Sequence, residues 1–122
     1  MKAYTDIEQS KKLAGILSTE SADMSWVSNG LGKPFARTIP IKGDPEELCA
    51  CWSLSALLNV LPKKYYPIKD HETNLILGKP KDKWCVLYWD TTGMQDGEET
   101  LGDNPVDVCY EMVLKLHELN LL

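Results

Sequence analysis

The stretch Cys49-Ala50-Cys51-Trp52-Ser53-Leu54-Ser55-Ala56 holds the side chains best suited to chemistry. Leu54, Leu57, Leu58 and Leu61 fall at i, i+3, i+4 and i+7, which predicts a short helix over residues 52–61 that Pro62 stops. A cysteine at the start of such a helix meets unpaired amide N–H groups and the positive end of the helix dipole, and both favour the thiolate. An imidazole nearby would complete an ion pair and activate the nucleophile. The chain offers two: His71, in a stretch that reads as a loop, and His117, near the carboxyl end with Asn120 three residues later. The competing account of the same residues is packing, with the first turn of the helix sending Trp52 and Leu54 into the core.

From Cys51 onward the stretch resembles the nucleophile segment of papain-like cysteine proteases, in which Cys-Trp opens a helix and a Ser-Ala pair follows. The resemblance implies a small cysteine hydrolase with Cys51 as nucleophile and His71 or His117 as base. The rest of the pattern is missing. Cys49 precedes Cys51 by two residues rather than three. Papain-like enzymes place their His and Asn roughly 130–150 residues after the cysteine, and only 71 residues follow Cys51.

Other site chemistries find less support. Zinc needs four ligands, usually in spaced pairs, but Cys49 and Cys51 form a cramped pair, and Cys85 and Cys109 fall in a strand and a helix, where they could meet in the core. The acidic stretch over residues 90–99 lacks the alternating oxygen ligands of a calcium loop and reads as a solvated hairpin loop. No glycine-rich phosphate loop occurs, so nucleotide cradling has no support either, and neither metal nor cofactor is expected. Lys63, Lys64, Tyr65 and Tyr66, in the basic segment 63–83, are interaction candidates that could hold a phosphate or a strand of nucleic acid by charge and stacking, though the surrounding acids argue otherwise. Of the four tryptophans, Trp52, Trp84 and Trp89 sit on apolar stripes that suit a core; Trp26 is the least committed and joins the interaction candidates.

The charge balance sets what the partner could be. The 122 residues carry thirteen Lys and Arg against eighteen Asp and Glu, a net charge of -5. Residues 63–83 carry +3, and residues 84–122 carry -7, with Lys115 alone against eight acids. A nucleic-acid coat protein must displace counterions from phosphates and is basic, so a protein partner is expected. An acidic surface that mimics nucleic acid would be a further use of the -7 segment. No apolar run approaches the roughly 20 residues needed to cross a bilayer. Five apolar residues after Lys11-Lys12 are too few for a signal peptide. The expectation is a cytoplasmic protein with four free thiols, mostly buried.

The elements that must position these residues follow from periodicity. Thr5 and Glu8 form a capping-box pattern for a first helix with Ile7, Leu13, Ile16 and Leu17 on its apolar side, ending near Ser18. Two arms, residues 24–28 and 34–42, flank Asn29-Gly30; Phe35, Arg37, Ile39 and Ile41 share a face of the second, and Pro40 marks it as an edge strand or a bulge. Gly43-Asp44-Pro45 breaks the pattern before the Cys51 helix. Pro67 predicts an irregular stretch from Tyr65 to Asp70, followed by a strand over residues 73–77. Residues 84–90 alternate two apolar faces and should form a central strand. Asp96-Gly97 turns into a short strand at 99–101. Asn104 as N-cap and Pro105 at the first position then open a helix with the stripe Val106, Cys109, Met112, Val113, Leu116 and Leu119. The sum is one α+β domain over residues 1–122, with a small, mostly antiparallel sheet of about four to five strands packed with about three helices.

Four stretches carry a second resemblance: Glu20-Ser21-Ala22-Asp23-Met24, Trp52-Ser53-Leu54-Ser55-Ala56-Leu57-Leu58, Leu61-Pro62, and Asn104-Pro105-Val106-Asp107 leading into Tyr110-Glu111-Met112. In this order they are similar to a small protein family of anaerobic gut bacteria and their phages and prophages, which has no established activity. Its pattern needs the Trp-Ser-Leu run but no cysteine before it. The resemblance implies a cytoplasmic phage-related or mobile-element context, and with it a non-catalytic protein acting through macromolecular contacts.

Overall fold

A computed structural model describes residues 2–28, 30, 32–68, 71–90 and 97–122, apart from the side chains of 65–68 and 71. Within these the chain forms three helices and seven strands in two antiparallel sheets, an α+β fold with more strands than the four to five expected. Asn29, the turn residue Asp96 and most of the acidic stretch after Asp90 lie outside the described residues.

The first helix, α1 (Ile7–Ala14), starts one residue later than the Thr5–Glu8 pattern implies. Asp6 is the N-cap: its carboxylate accepts from Gln9 N at 2.8 Å, while the Gln9 side chain accepts from Asp6 N at 3.1 Å. Thr5 is unavailable as a cap because it is wholly buried. Its hydroxyl lies 2.7 Å from Ser10 Oγ and accepts from Trp52 N at 3.1 Å. The helix stops at the Gly15 C-cap rather than near Ser18, although Ile16 and Leu17 still pack against the core.

The smaller sheet has the order β2-β1-β3, with β1 at Met24–Val27, β2 at Phe35–Arg37 and β3 at Glu47–Cys51. The second arm ends at Arg37, which is ion-paired to Asp44 as the chain turns back. Phe35, Ile39 and Ile41 are exposed, so the one-sided burial expected of that arm does not occur. Strand β3 was not expected, since Gly43-Asp44-Pro45 precedes it and its residues do not alternate between buried and exposed. Helix α1 packs on β3. The residues before α1 meet the end of β3, with Thr5 N donating to Trp52 O at 2.9 Å.

After β3 comes α2 (Leu54–Val60), capped by Ser53, whose hydroxyl accepts from Ala56 N at 3.2 Å. The larger sheet follows in the order β4-β5-β6-β7: Lys64–Ile68, His71–Gly78, Trp84–Trp89 and Glu99–Gly102. Strand β4 replaces the irregular stretch expected around Pro67. It is an edge strand, where proline is tolerated because its missing N–H need not face a neighbour. Helix α3 (Pro105–Glu118) begins as expected, with the Asn104 side chain accepting from Asp107 N at 2.8 Å. It covers one face of β6 and β7 and packs against α2.

The core gathers Leu13 of α1, Trp52, Leu57 and Leu61, Val86 and Tyr88 of β6, and Val106, Cys109, Met112, Val113 and Leu116 of α3. Leu119 falls outside the stripe and is exposed, because α3 ends before it. The two polar atoms brought in by the largest rings are satisfied. Trp52 Nε1 donates to Ser21 Oγ at 2.9 Å, and Tyr88 Oη donates to Pro62 O at 2.6 Å. Each fully buried apolar side chain of this size contributes about 1.5–3 kcal/mol.

Candidate interaction surface

Cys51 is the last residue of β3 and not the opening residue of a helix; α2 begins only after the Ser53 cap. The amide groups that would favour a thiolate therefore belong to Ser53 and not to the cysteine. Its thiol is fully buried, donates to Thr5 O at 3.5 Å and accepts from Thr5 Oγ1 at 3.8 Å. Burial pushes it up from the ordinary thiol value, the reverse of activation. His117 lies exposed in the last turn of α3, and His71 opens β5 in the other sheet, its side chain outside the described residues. The three residues of the hydrolase reading are thus on three different elements.

The other cysteines are free thiols as well. Cys49 is half-buried on β3. Cys109 is in the core, and burial pushes its thiol up to about 12. Cys85 does not meet it: it alternates with Val86 on β6 and stands on the face away from α3.

Trp26 is less free than expected. Its indole N–H donates to Thr5 O at 3.0 Å, and its ring meets Tyr4 edge-on at 5.7 Å between centroids. A shallow groove of about 460 Å³ runs past its remaining edge between Ile7 and Pro34. Lys63 and Lys64 are exposed at the start of β4, in the other sheet, and the Tyr65 and Tyr66 side chains lie outside the described residues. The described lysines of the +3 segment do not converge; Lys69 lies outside the described residues. Lys64 Nζ is 2.6 Å from Glu72 Oε1, Lys83 is ion-paired to Asp103, and Lys79 Nζ lies 5.8 Å from the Trp84 ring.

The strongest surface feature is the face of the larger sheet that α3 does not cover. Register fixes its membership: Asn74 opposes Trp89, Ile76 opposes Leu87, Gly78 opposes Cys85, and Cys85 opposes Leu101. Ile76 is 41% exposed, Trp89 45% and Leu101 61%, with half-buried Leu87 between them. Strand β6 is internal, as expected, but only one of its faces is fully buried, and Trp89 is not a core residue. Lys64 and Glu72 form a polar rim on the β4 side and Glu99 on the β7 side. Such a contiguous apolar patch with a polar border is the usual composition of a contact surface.

Ile76 and Leu101 were missed from sequence. The signal was present in Asn74-Leu75-Ile76-Leu77, where both faces of the strand are apolar, but this pattern does not say which face a helix will cover. No known protein family, curated protein or solved structure matches the chain.

Proposed function

We propose that this chain is a non-catalytic cytoplasmic protein of phage or mobile-element type that acts by binding a partner protein through the uncovered face of its larger sheet. The exposed row of Ile76, Trp89 and Leu101 around Leu87 carries the reading. Among the described residues no helix is long and apolar enough to cross a membrane. The resemblance of four stretches to the gut-bacterial and phage family supports the context. Covering three side chains that are each about half exposed would contribute roughly 3 kcal/mol, near a hundredfold in affinity.

The test is capture from native lysate with the wild-type chain and with Ile76→Thr/Trp89→Thr, which puts a residue of high strand propensity at both positions. A partner recovered by the first and lost with the second, at unchanged circular dichroism, supports the proposal. The same proteins on both, or neither recovering any, overturns it.

A further inference from the structure

The larger sheet ends at β7, and its ladder with β6 shows where the backbone groups of β7 point. Tyr88 N donates to Glu98 O at 3.0 Å, and Val86 and Trp84 oppose Thr100 and Gly102. The ladder bonds therefore fall on the even-numbered residues, and the N–H and C=O groups of Glu99 and Leu101 point away from the sheet. Lys115 Nζ, which donates to Glu99 O at 2.9 Å from α3, marks that direction. Beside this edge lies a groove of about 750 Å³ between β7 and α3. Leu101, Tyr110 and Leu114 supply apolar wall, and Glu99, Glu111 and Glu118 supply charge.

We propose that an extended, basic segment of a partner protein adds to β7 as a further strand, with alternate side chains lying over this groove. The inference rests on the reading of the chain as a binding protein and names the chemistry of one partner segment. Backbone pairing at an open sheet edge gives affinity without a preformed pocket, and charge selects the occupant. Four carboxylates, Glu98, Glu99, Glu111 and Glu118, all from the third of the chain that carries -7, meet two ammonium groups, Lys115 and, from α1, Lys12. A second copy of this chain would bring the same four carboxylates to the edge, and like charges across a strand pair repel. Lys115 guards the edge: it occupies the carbonyl that an added N–H needs and sits 3.4 Å from Glu98.

Fluorescence anisotropy with a labelled heptapeptide of alternating lysine and valine reads this directly. The expected result is saturable binding to the wild-type chain, weakened by salt. It should fall by about tenfold or more when every backbone nitrogen of the peptide is methylated, and vanish for a glutamate–valine peptide. Lys115→Ala should tighten binding, and Glu111→Gln/Glu118→Gln should weaken it. Leu101→Pro removes an outward N–H while sparing the ladder, and should abolish binding. If that variant does not fold, the changes at Glu111 and Glu118 and the methylated peptide carry the same test. No binding of the basic peptide, equal binding of its methylated form, or equal binding of the acidic one overturns the inference. Ile76 and Trp89 do not line this groove, so Ile76→Thr/Trp89→Thr should keep peptide binding even where it loses the captured partner. The two proposals thus fail separately.

Discussion

On β6, Val86 and Tyr88 point toward α3 and are wholly buried, whereas Leu87 and Trp89 point the other way and stay half-buried or exposed. Both faces of the strand carry large apolar residues; the difference lies in what covers them. The inner face has α3 laid across it, and among the described residues the outer face has its neighbours from β5 and β7 and no helix. Apolar area left in water gains nothing on folding, so the outer residues hold binding energy that a partner could release.

Truncation on the two faces gives the largest expected contrast. Tyr88→Ala removes a ring buried on all sides and the hydroxyl bond to Pro62 O. It should cost about 3–5 kcal/mol in urea unfolding. Trp89→Ala, on the next residue, should cost no more than about 1 kcal/mol. Equal losses would show that something covers the outer face in the folded protein, and would break the contrast.

Two glycines extend the same comparison with a single methyl group. Gly102 belongs to the inner face, and a Cβ placed there would lie 2.9 Å from Val108 Cγ1, beneath α3. Gly102→Ala should cost about 1–3 kcal/mol by overpacking. Gly78 belongs to the outer face, where an added Cβ meets nothing within 4 Å. Gly78→Ala should be neutral, or stabilising by up to about 1 kcal/mol through the unfolded chain. Chemical denaturation of both variants measures the difference.

The contrast also explains what could be seen in the sequence. Helix α3 was legible from Asn104, Pro105 and its stripe, since capping chemistry and periodicity are local. Strand β6 was legible from its length and its apolar alternation. The cover over each face was not, because it depends on where α3 lands after the chain has folded back. Strand β3 was hidden for a related reason: Leu48 is exposed and Cys51 buried, a gradient along the strand set by α1 packing on one end. The Cys51 helix start was misplaced because the Ser53 cap competes for the same helix, and cap geometry decides that contest over apolar spacing.

What holds the cover in place is open to a smaller test. Asp107, in the first turn of α3, accepts from Lys2 Nζ and Gln9 Nε2, each at 2.8 Å, and from Asn104 Nδ2 at 2.7 Å. This ties the chain start and α1 to the helix over the inner face. Burial opposes ionisation of Asp107, but these three donors outweigh it and hold the carboxyl below its ordinary 3.8. For Lys2, burial opposes the charge, and hydrogen bonds to Asp107 and Asp6 lift it above 10.5. A depressed acid contributes stability that is present above its unfolded value and lost as pH falls through the folded one. A raised base contributes stability that is present below its unfolded value and lost as pH rises through the folded one. Stability from this cluster should therefore hold between about pH 4 and pH 10 and fall on either side. Asp107→Asn should cost about 1 kcal/mol at neutral pH, since the group is partly exposed, and should flatten the acid limb of a melting-temperature profile.

Thiol labelling probes the two faces without changing their energy. Cys85 is nearly buried, but it stands on the sheet face that α3 does not cover, between Gly78 and Leu101, so small side-chain motions should expose it. Cys109 is on the buried side of α3 and is exposed only when helix and sheet part. With its thiol pushed up to about 12, Cys109 is also almost wholly protonated at pH 8. In native buffer Cys85 should alkylate well before Cys109. Its rate should be nearly independent of dilute urea, whereas the Cys109 rate should rise with urea along the slope of global unfolding. If both rates rise along that slope, the outer face is covered in solution, and the surface assigned to a partner is already occupied. If Cys85 alone is insensitive and a bound partner then slows it, the same measurement locates the contact on the outer face of β6.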